Sequence, residues 1–273
     1  MPLPIEEKSR RFVALHEREG TFVIPNPWDA GSARALAALG FEALATSSGA
    51  CAGVLGRTDG RVTRPEAIAH AKMIVEATDL PAAADLENGF GDGVGDVSET
   101  IRAAGAAGLV GGSIEDCAGP GKPIYEFAHA VARVEAAVAA ARALPFRFMF
   151  TARAENFIRG NPDLDDTIRR LKAYERAGAD VLFAPGLPDI AAVREVCASL
   201  ERPFNFMVGI EGRSFSVAEL VAAGVKRISL ASSLYRAAMT GLIEAAREVR
   251  DQGTFGYLGR SVSTPDLNKM LEG

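Results

Sequence analysis

The sequence predicts an α/β protein: a (β/α)8 TIM barrel in a single domain, residues 1–273, with a C-terminal helical tail over about 250–273. Three observations predict it. Eight short runs rich in β-branched or aromatic residues recur along the chain. A longer Ala-, Leu-, Arg- and Glu-rich stretch follows each, and strands alternating with helices imply parallel pairing through crossovers. Finally, 273 residues suit eight such units in one barrel, whereas a doubly wound sheet usually has fewer strands.

The strands are expected, in order, at TFVIP (Thr21 to Pro25), FEALAT (Phe41 to Thr46), PAAADLE (Pro81 to Glu87) and LVGGSIED (Leu109 to Asp116). The second half supplies PFRFMFTAR (Pro145 to Arg153), DVLFAP (Asp180 to Pro185), PFNFMVG (Pro203 to Gly209) and KRISLAS (Lys226 to Ser232). Between them, PEAIAHAKMIVEAT, EFAHAVARVEAAVAAARA and LDDTIRRLKAYERAGA place apolar residues at helical spacing. The turns AALGFEAL, AAGAAGLV, ERAGADVL and VAAGVKRI each use Gly where a helix needs a left-handed cap before the next strand. The tail STPDLNKMLEG starts with a capping Ser or Thr before Pro, then a short helical pattern.

Composition narrows the function. A net charge of −5 and a pI near 5.4 argue against nucleic-acid or anionic-membrane surfaces, which need a concentrated basic face. Small soluble ligands fit better. Cys51, Cys117 and Cys197 are odd in number and lack C-x-x-C spacing, so neither a disulfide framework nor a thiolate metal site is suggested. With no signal-like or membrane-spanning apolar run, the expected location is cytoplasmic.

Barrel chemistry sits at the C-terminal ends of the strands. That filter selects Asn26, Trp28 and Asp29, then Thr46, Ser47 and Ser48, then Asp85 and Glu87, Glu115 and Asp116, and Arg153 and Glu155. In a strand, residues two apart face one side, so Asp85 and Glu87 would repel unless a cation lies between them. Oxygen-only ligands favour Mg2+ or Mn2+ over zinc. Glu115 and Asp116 would stand beside the pair; taken singly, each acid also reads as a helix cap or ion-pair partner. Arg153 offers a forked donor to a substrate carboxylate or, equally, an ion pair with Glu155 or Glu115. TSSGA offers hydroxyls and free backbone N–H groups, although an ordinary Ser/Gly turn reads the same way.

Other motifs are set aside. GFGDGVG has no G-x-G-x-x-G register and no P-loop lysine, which removes a dinucleotide site. His16, His70 and His129 fall within helical stretches and read as solvated, so a Ser-His-Asp triad is not expected. Cys51 and Cys197 read as small buried hydrophobes, while Cys117 follows the acidic pair.

Together, PNPWDAGSARALAALGFEALATSSGACAGVLGRTDG, AAADLENGFGDG, SIEDCAG and TARAENF resemble the isocitrate lyase/phosphoenolpyruvate mutase superfamily over most of the chain. The resemblance implies a barrel that binds Mg2+ and a small 2-oxo acid or related carboxylate and makes or breaks a C–C or P–C bond through a metal-stabilised enolate. It implies Asp85 as direct metal ligand, with Glu87, Glu115 and Asp59 acting through waters. It further implies Thr46, Ser47, Ser48 and Gly49 around the oxo-carboxylate, and Arg153 on the carboxylate or leaving group; Trp28, chosen by its place after the first strand, is a further substrate-binding candidate. Asn205 matches a position that touches distal substrate groups in some members. A homo-oligomer, tetramer or dimer, is implied as well.

The departures bear on the reaction. Asp85-x-Glu87 stands where Asp-x-Asp is common. CAGPGKPIYEF replaces the lyases' K-[KR]-C-G-H loop, and Cys117 lies too early to match its thiol. Lys122 is the one residue that matches a mutase gating lysine, and LFAPGLPD lacks both the mutase histidine and the lyase glutamate. The expected function is a Mg2+-dependent C–C lyase or decarboxylase, with Asp59, Glu115 and Arg153 as catalytic candidates. P–C chemistry and a 2-oxo-acid-binding protein without turnover are the alternatives.

Overall fold

The computed structural model describes residues 2–119 and 121–272. Helix α1 (Ile5–Glu17) precedes β1 (Phe22–Ile24), α2 (Ala30–Ala38), β2 (Leu44–Ala45), α3 (Ser48–Val54) and α4 (Arg64–Ala77). Then come β3 (Ala82–Asp85), α5 (Val94–Ala106), β4 (Gly111–Glu115), α6 (Phe127–Arg142) and β5 (Met149–Arg153), followed by a 3-10 turn at Asn156–Ile158. The chain continues through α7 (Leu164–Arg176), β6 (Val181–Phe183), α8 (Ile190–Ala198), β7 (Phe204–Met207), α9 (Val217–Ala222) and β8 (Arg227–Ser229). It ends in α10 (Ser233–Gln252), a 3-10 turn (Gly256–Arg260) and α11 (Thr264–Leu271).

The strands form one eight-stranded parallel sheet in the order β1-β8-β7-β6-β5-β4-β3-β2, and the pairing of first with last strand makes it the expected barrel. At the seam between β1 and β2, the Ala45 N–H donates to the Pro25 carbonyl at 3.0 Å. The Asn26 amide completes the closure: its Nδ2 donates to the Thr46 carbonyl at 2.9 Å, and its Oδ1 accepts from the Leu230 N–H at 2.9 Å.

All eight strands lie within the expected segments, but the third stops two residues short. Glu87 adopts φ 48°, a left-handed conformation that a strand cannot hold, so β3 ends at Asp85. After the eighth strand, α10 runs over Ser233–Gln252, and α11 follows at Thr264–Leu271.

The four repeated turns share one local cause. Gly40, Gly108, Gly178 and Gly224 have φ of 88°, 89°, 101° and 90°, and each lets the following N–H reach back into the helix it leaves. Phe41, Leu109, Ala179 and Val225 donate to the carbonyls of Leu36, Ala104, Tyr174 and Leu220 at 3.0–3.4 Å. At the other ends, Asp29, Asp163, Asp189, Ser216 and Ser263 accept N-terminal helix amides.

Strand alternation divides the core. Outward residues such as Leu86, Ile114, Phe150, Leu182, Phe206 and Ile228 pack against helix faces that include Ile101, Val134, Leu171 and Val193. Inward residues Phe22, Ile24, Ala83, Met149 and Val181 meet Phe12 and Leu15 of α1, which plug the N-terminal end of the barrel. Inward positions nearer the other end are polar, so the core stops below the mouth. No helix among the described residues is long and apolar enough to cross a membrane.

Candidate active site

A row of paired residues links the inward side chains around the barrel: Glu115 with Arg153, Arg153 with Phe183, Phe183 with Asn205, and Asn205 with Arg227. Arg227 then pairs with Phe22, so the row reaches from the C-terminal mouth to the plug. Above it lies a cavity of about 340 Å3, lined by Thr46, Ser47, Ser48, Gly49, Asp59, Asp85, Glu115, Arg153 and Asn205 among others. A larger cavity of about 1100 Å3 lies at the opposite end, beneath α1. Chemistry in this fold belongs to the mouth, so the smaller cavity is the candidate site.

Asp85 and Glu87 do converge, though not through strand alternation. The chain turns after Asp85, the Glu87 N–H donates to Asp85 Oδ1 at 3.2 Å, and Asp85 Oδ2 accepts from the Ser48 N–H at 3.3 Å. Thr46 Oγ1 accepts from the Asp85 N–H at 3.1 Å. Burial raises the Glu87 carboxyl to about 8, reinforced by Asp85, Asp59 and Glu115 and only partly opposed by Arg153. Asp59, Asp85 and Glu115 line the cavity, while Glu87 faces a small pocket beside it that Ser48 and Asp85 share.

Arg153 makes the ion pairs with Glu155 and Glu115 that were one of its two readings, and a third with Asp85. Its Nη1 meets Asp85 at 3.1 Å, its Nη2 meets Glu115 at 3.1 Å, and its Nε donates to Glu155 at 2.9 Å. The guanidinium lies over the Phe183 ring at 4.7 Å from its centroid. Burial lowers its pKa, but Glu155, Glu115 and Asp85 outweigh burial and hold it above the usual range. Arg159, from the 3-10 turn, joins Glu115 at 3.1 Å and lies 3.6 Å from Glu155. Glu155 is pushed up by burial and by Glu115 and Asp116, against the pull of the two arginines.

Among the described residues one trio of possible metal ligands draws close, and Asp59, Asp85 and Glu87 stand wider apart. Glu115, Cys117 and Glu155 place ligand atoms within 4.8 Å of one another. That trio is filled from within, because both arginines occupy its carboxylates and the Cys117 thiol, pushed up by burial, sits 3.2 Å from Glu115 Oε2. Asp59, Asp85 and Glu87 keep oxygens that no arginine claims, apart from the single Asp85 contact to Arg153. An oxygen-only, charge-excess donor set fits a hard divalent cation.

Several expectations need correction. Asp116 points away from the mouth, because adjacent strand residues face opposite sides. It accepts from the Glu155 N–H at 2.8 Å, the Tyr174 hydroxyl at 2.6 Å and Arg170 Nη1 at 3.1 Å, bracing the segment that carries Arg153. Trp28 does not line the cavity; its ring packs edge-on against Tyr235 and its carbonyl accepts from His70 Nε2 at 2.8 Å. His16 and His70 are buried rather than solvated, and Cys197 is only half-buried. Lys122 is exposed on the loop after β4, outside the cavity lining.

The glycine string has a structural cause. Buried Arg133 of α6 donates to the carbonyls of Asn88, Gly91 and Gly93, stacked over Tyr125. A Cβ on Gly91 would stand 2.3 Å from the Asp96 side chain, so the turn takes glycine there. The loop, which begins one residue after Glu87, is a cage for an arginine.

A family model described as phosphoenolpyruvate phosphomutase matches residues 12–250. The chain belongs to that family. Among relatives in the isocitrate lyase/phosphoenolpyruvate mutase superfamily, 2,3-dimethylmalate lyase of Eubacterium barkeri is 31% identical over 264 residues, covering 91% of this chain and 89% of its own. Oxaloacetate decarboxylase of Paraburkholderia xenovorans is 30% identical over 250 residues, covering 88% and 82%. A crystal structure from Burkholderia cenocepacia J2315, described as a candidate lyase/mutase, superposes with a TM-score of 0.96 at 49% identity over 98% of both chains. The chain is accordingly an enzyme of this superfamily.

In this phosphomutase-family barrel, Arg159 and Arg227 line the cavity but escaped sequence reasoning. Arg159 lies six residues beyond its strand, past the window that the strand-end filter covers. Arg227 opens its strand, and the filter reads only strand ends. The KR pair in VKRIS was the available signal, since a charge on an inward strand position is costly to bury.

Proposed function

We propose that this chain is a Mg2+-dependent lyase or decarboxylase, with Mn2+ able to substitute, that cleaves a C–C bond of a small 2-oxo acid or di- or tricarboxylate. The observation that carries the reading is the cavity at the barrel mouth, whose lining brings Asp59, Asp85 and Glu115 together with Thr46, Ser47, Ser48 and Arg153. Asp85 would hold the cation directly, and Glu87, Glu115 and Asp59, the last from the loop between α3 and α4, would act through its water ligands. Bound there, the cation supplies Lewis-acid stabilisation of the charge that develops on the 2-oxo oxygen as the bond breaks.

The chain's own residues bind and orient. Thr46, Ser47, Ser48 and Gly49 present hydroxyls and backbone on the wall beside Asp85, where a 2-oxo-carboxylate would rest. Arg153, already fixed by three carboxylates, presents its fork toward the substrate carboxylate or leaving group, and Asn205 faces the distal end. Apart from Asn26, Arg159 and Arg227, the remaining lining is Ser, Thr and apolar residues such as Ile24, Phe183 and Met207. Decarboxylation suits such walls best, because it asks no side chain for a proton at bond cleavage and solvent can deliver one afterwards. The names of the dimethylmalate lyase and oxaloacetate decarboxylase relatives support C–C cleavage.

The test is product release from a panel of 2-oxo acids and hydroxy di- and tricarboxylates, with and without Mg2+. Metal-dependent CO2 or pyruvate is expected, and Asp85→Asn should lower kcat/KM by on the order of a hundredfold or more. Phosphate from phosphonopyruvate alone would assign P–C chemistry instead, and binding without turnover would assign a 2-oxo-acid-binding protein. A homo-oligomer, dimer or tetramer, is part of the reading: α10 has no buried residue, and Leu242, Ile243, Phe255 and Leu258 of the tail are exposed. Sedimentation equilibrium tests it, and a monomer would refute it.

A further inference from the structure

Arg227 stands at the floor of the candidate site, between the cavity and the α1 plug. Its side chain is 6% exposed, yet it lines the cavity. Every partner it has is neutral: Nε donates to Asn205 Oδ1 at 2.8 Å, Nη1 to His16 Nε2 at 3.2 Å, and Nη2 to Thr151 Oγ1 at 3.0 Å. His16 donates its own Nδ1–H to the Phe12 carbonyl at 2.8 Å, which leaves Nε2 free to accept.

Three other interior arginines differ: Arg153, Arg159 and Arg170 each meet a carboxylate within 3.1 Å. Arg133 has no carboxylate either, but backbone carbonyls away from the cavity cage it. Among the described residues, no carboxylate oxygen lies within 4.0 Å of Arg227, and burial alone pulls its pKa down to about 9. A buried charge without a counter-charge destabilises a fold, and an apolar side chain would fill the same space at lower cost. Three contacts also leave two of the guanidinium's five N–H donors over. Small inward residues, Ala45, Ala83, Ser113 and Ser229, leave room above it.

We propose that Arg227 is the subsite for a second anionic group of the substrate, so that the enzyme takes dianionic 2-oxo acids whose 2-oxo-carboxylate end lies at Asp85 and Ser48 and whose distal carboxylate or phosphonate reaches the floor. This rests on the 2-oxo-acid reading above. Asn205 and Thr151 hold the guanidinium in place, and the dianion supplies the counter-charge that the surrounding side chains do not. The register row makes the two ends part of one surface, since Glu115, Arg153, Asn205 and Arg227 are successive partners along it.

Calorimetric titration of the full chain with Mg2+ tests this, using 2-oxobutyrate as monoanion and oxaloacetate and phosphonopyruvate as dianions of similar size; the two dianions distinguish a carboxylate from a phosphonate. The wild type should bind one dianion tighter than 2-oxobutyrate by about tenfold or more, the range for a charge-assisted contact. Arg227→Met should collapse that ratio toward one, and Arg227→Lys should restore part of it. Equal affinities in the wild type would overturn the inference without any variant, and so would a ratio that survives in Arg227→Met. Binding of 2-oxobutyrate without discrimination overturns the Arg227 subsite alone. Failure of every 2-oxo acid to bind overturns the proposed function and the subsite with it.

Discussion

Replacing His16 by Gln should flatten the acid sensitivity of folding. The ring is packed edge-on between Phe12 and Phe22, with centroids 4.7 and 5.0 Å away, and its Nε2 faces Arg227. Burial, then Arg227 and more weakly Lys226, lower its pKa from 6.5 to about 3, with the Phe12 carbonyl pulling the other way. The unfolded chain takes up a proton at His16 below pH 6.5, whereas the folded chain does so only near pH 3, so acid favours unfolding across that window. Stability tied to the neutral ring is complete above pH 6.5 and is lost progressively as the pH falls toward 3. Integrating the two titrations gives a loss of about 2 kcal/mol between about pH 7 and about pH 5. Gln at position 16 carries no titrating group and retains an oxygen that can accept from Arg227. Urea unfolding of both proteins at the two pH values gives the comparison, because every other titrating group is shared and cancels in the difference. The wild type should lose about 2 kcal/mol more than His16→Gln. Equal losses would show that His16 does not stay neutral beneath the cavity floor.

Other perturbations address the mouth and the barrel packing. Arg153→Lys replaces a fork with a single ammonium that cannot meet Asp85, Glu115 and Glu155 together; unfolding should become easier by about 3 kcal/mol and KM should rise, and an unchanged melting curve and KM would contradict the ion-pair geometry. Gly111→Ala sets a Cβ 2.8 Å from the Phe12 ring and 2.9 Å from the Met149 carbonyl. Because a backbone atom cannot move aside cheaply, thermal unfolding should report a loss of about 1–3 kcal/mol, and a neutral result would mean that α1 does not plug the barrel there. Arg133→Met frees the carbonyls of Asn88, Gly91 and Gly93, and hydrogen exchange should then accelerate around Glu87 more than in β4 or β5; uniform protection would separate the cage from the acidic site.

The barrel was legible because its signals are local. Alternation of apolar runs with helical stretches, and a glycine after each of four helices, are written into contiguous residues, and those glycines do adopt the left-handed conformation. The mouth was legible by position: Asp85, Glu115 and Arg153 end their strands and face inward. Other features depend on the turn beyond a strand or on the far wall. Glu87 reaches the pocket beside the mouth only because its backbone leaves the strand, a conformation no side-chain pattern announces. Asp116 differs from Glu115 by one residue and so by one face of the sheet, and its partners Arg170 and Tyr174 come from α7. His16, Arg227 and Thr151 are separated by up to 211 residues and meet only because the register row closes around the barrel. Trp28 was placed by its position just after the first strand, whereas its ring packs against Tyr235 at the foot of α10.

The central claim is that the carboxylates at the mouth form a site for one hard divalent cation. Titration of the protein with Mn2+, followed by electron paramagnetic resonance of the free ion and by competition with Mg2+, measures this without requiring turnover. One site per chain that Mg2+ displaces, and that Asp85→Asn loses, is the predicted result. A wild-type protein that leaves Mn2+ free, or a variant that binds it as well as the wild type does, would contradict the account.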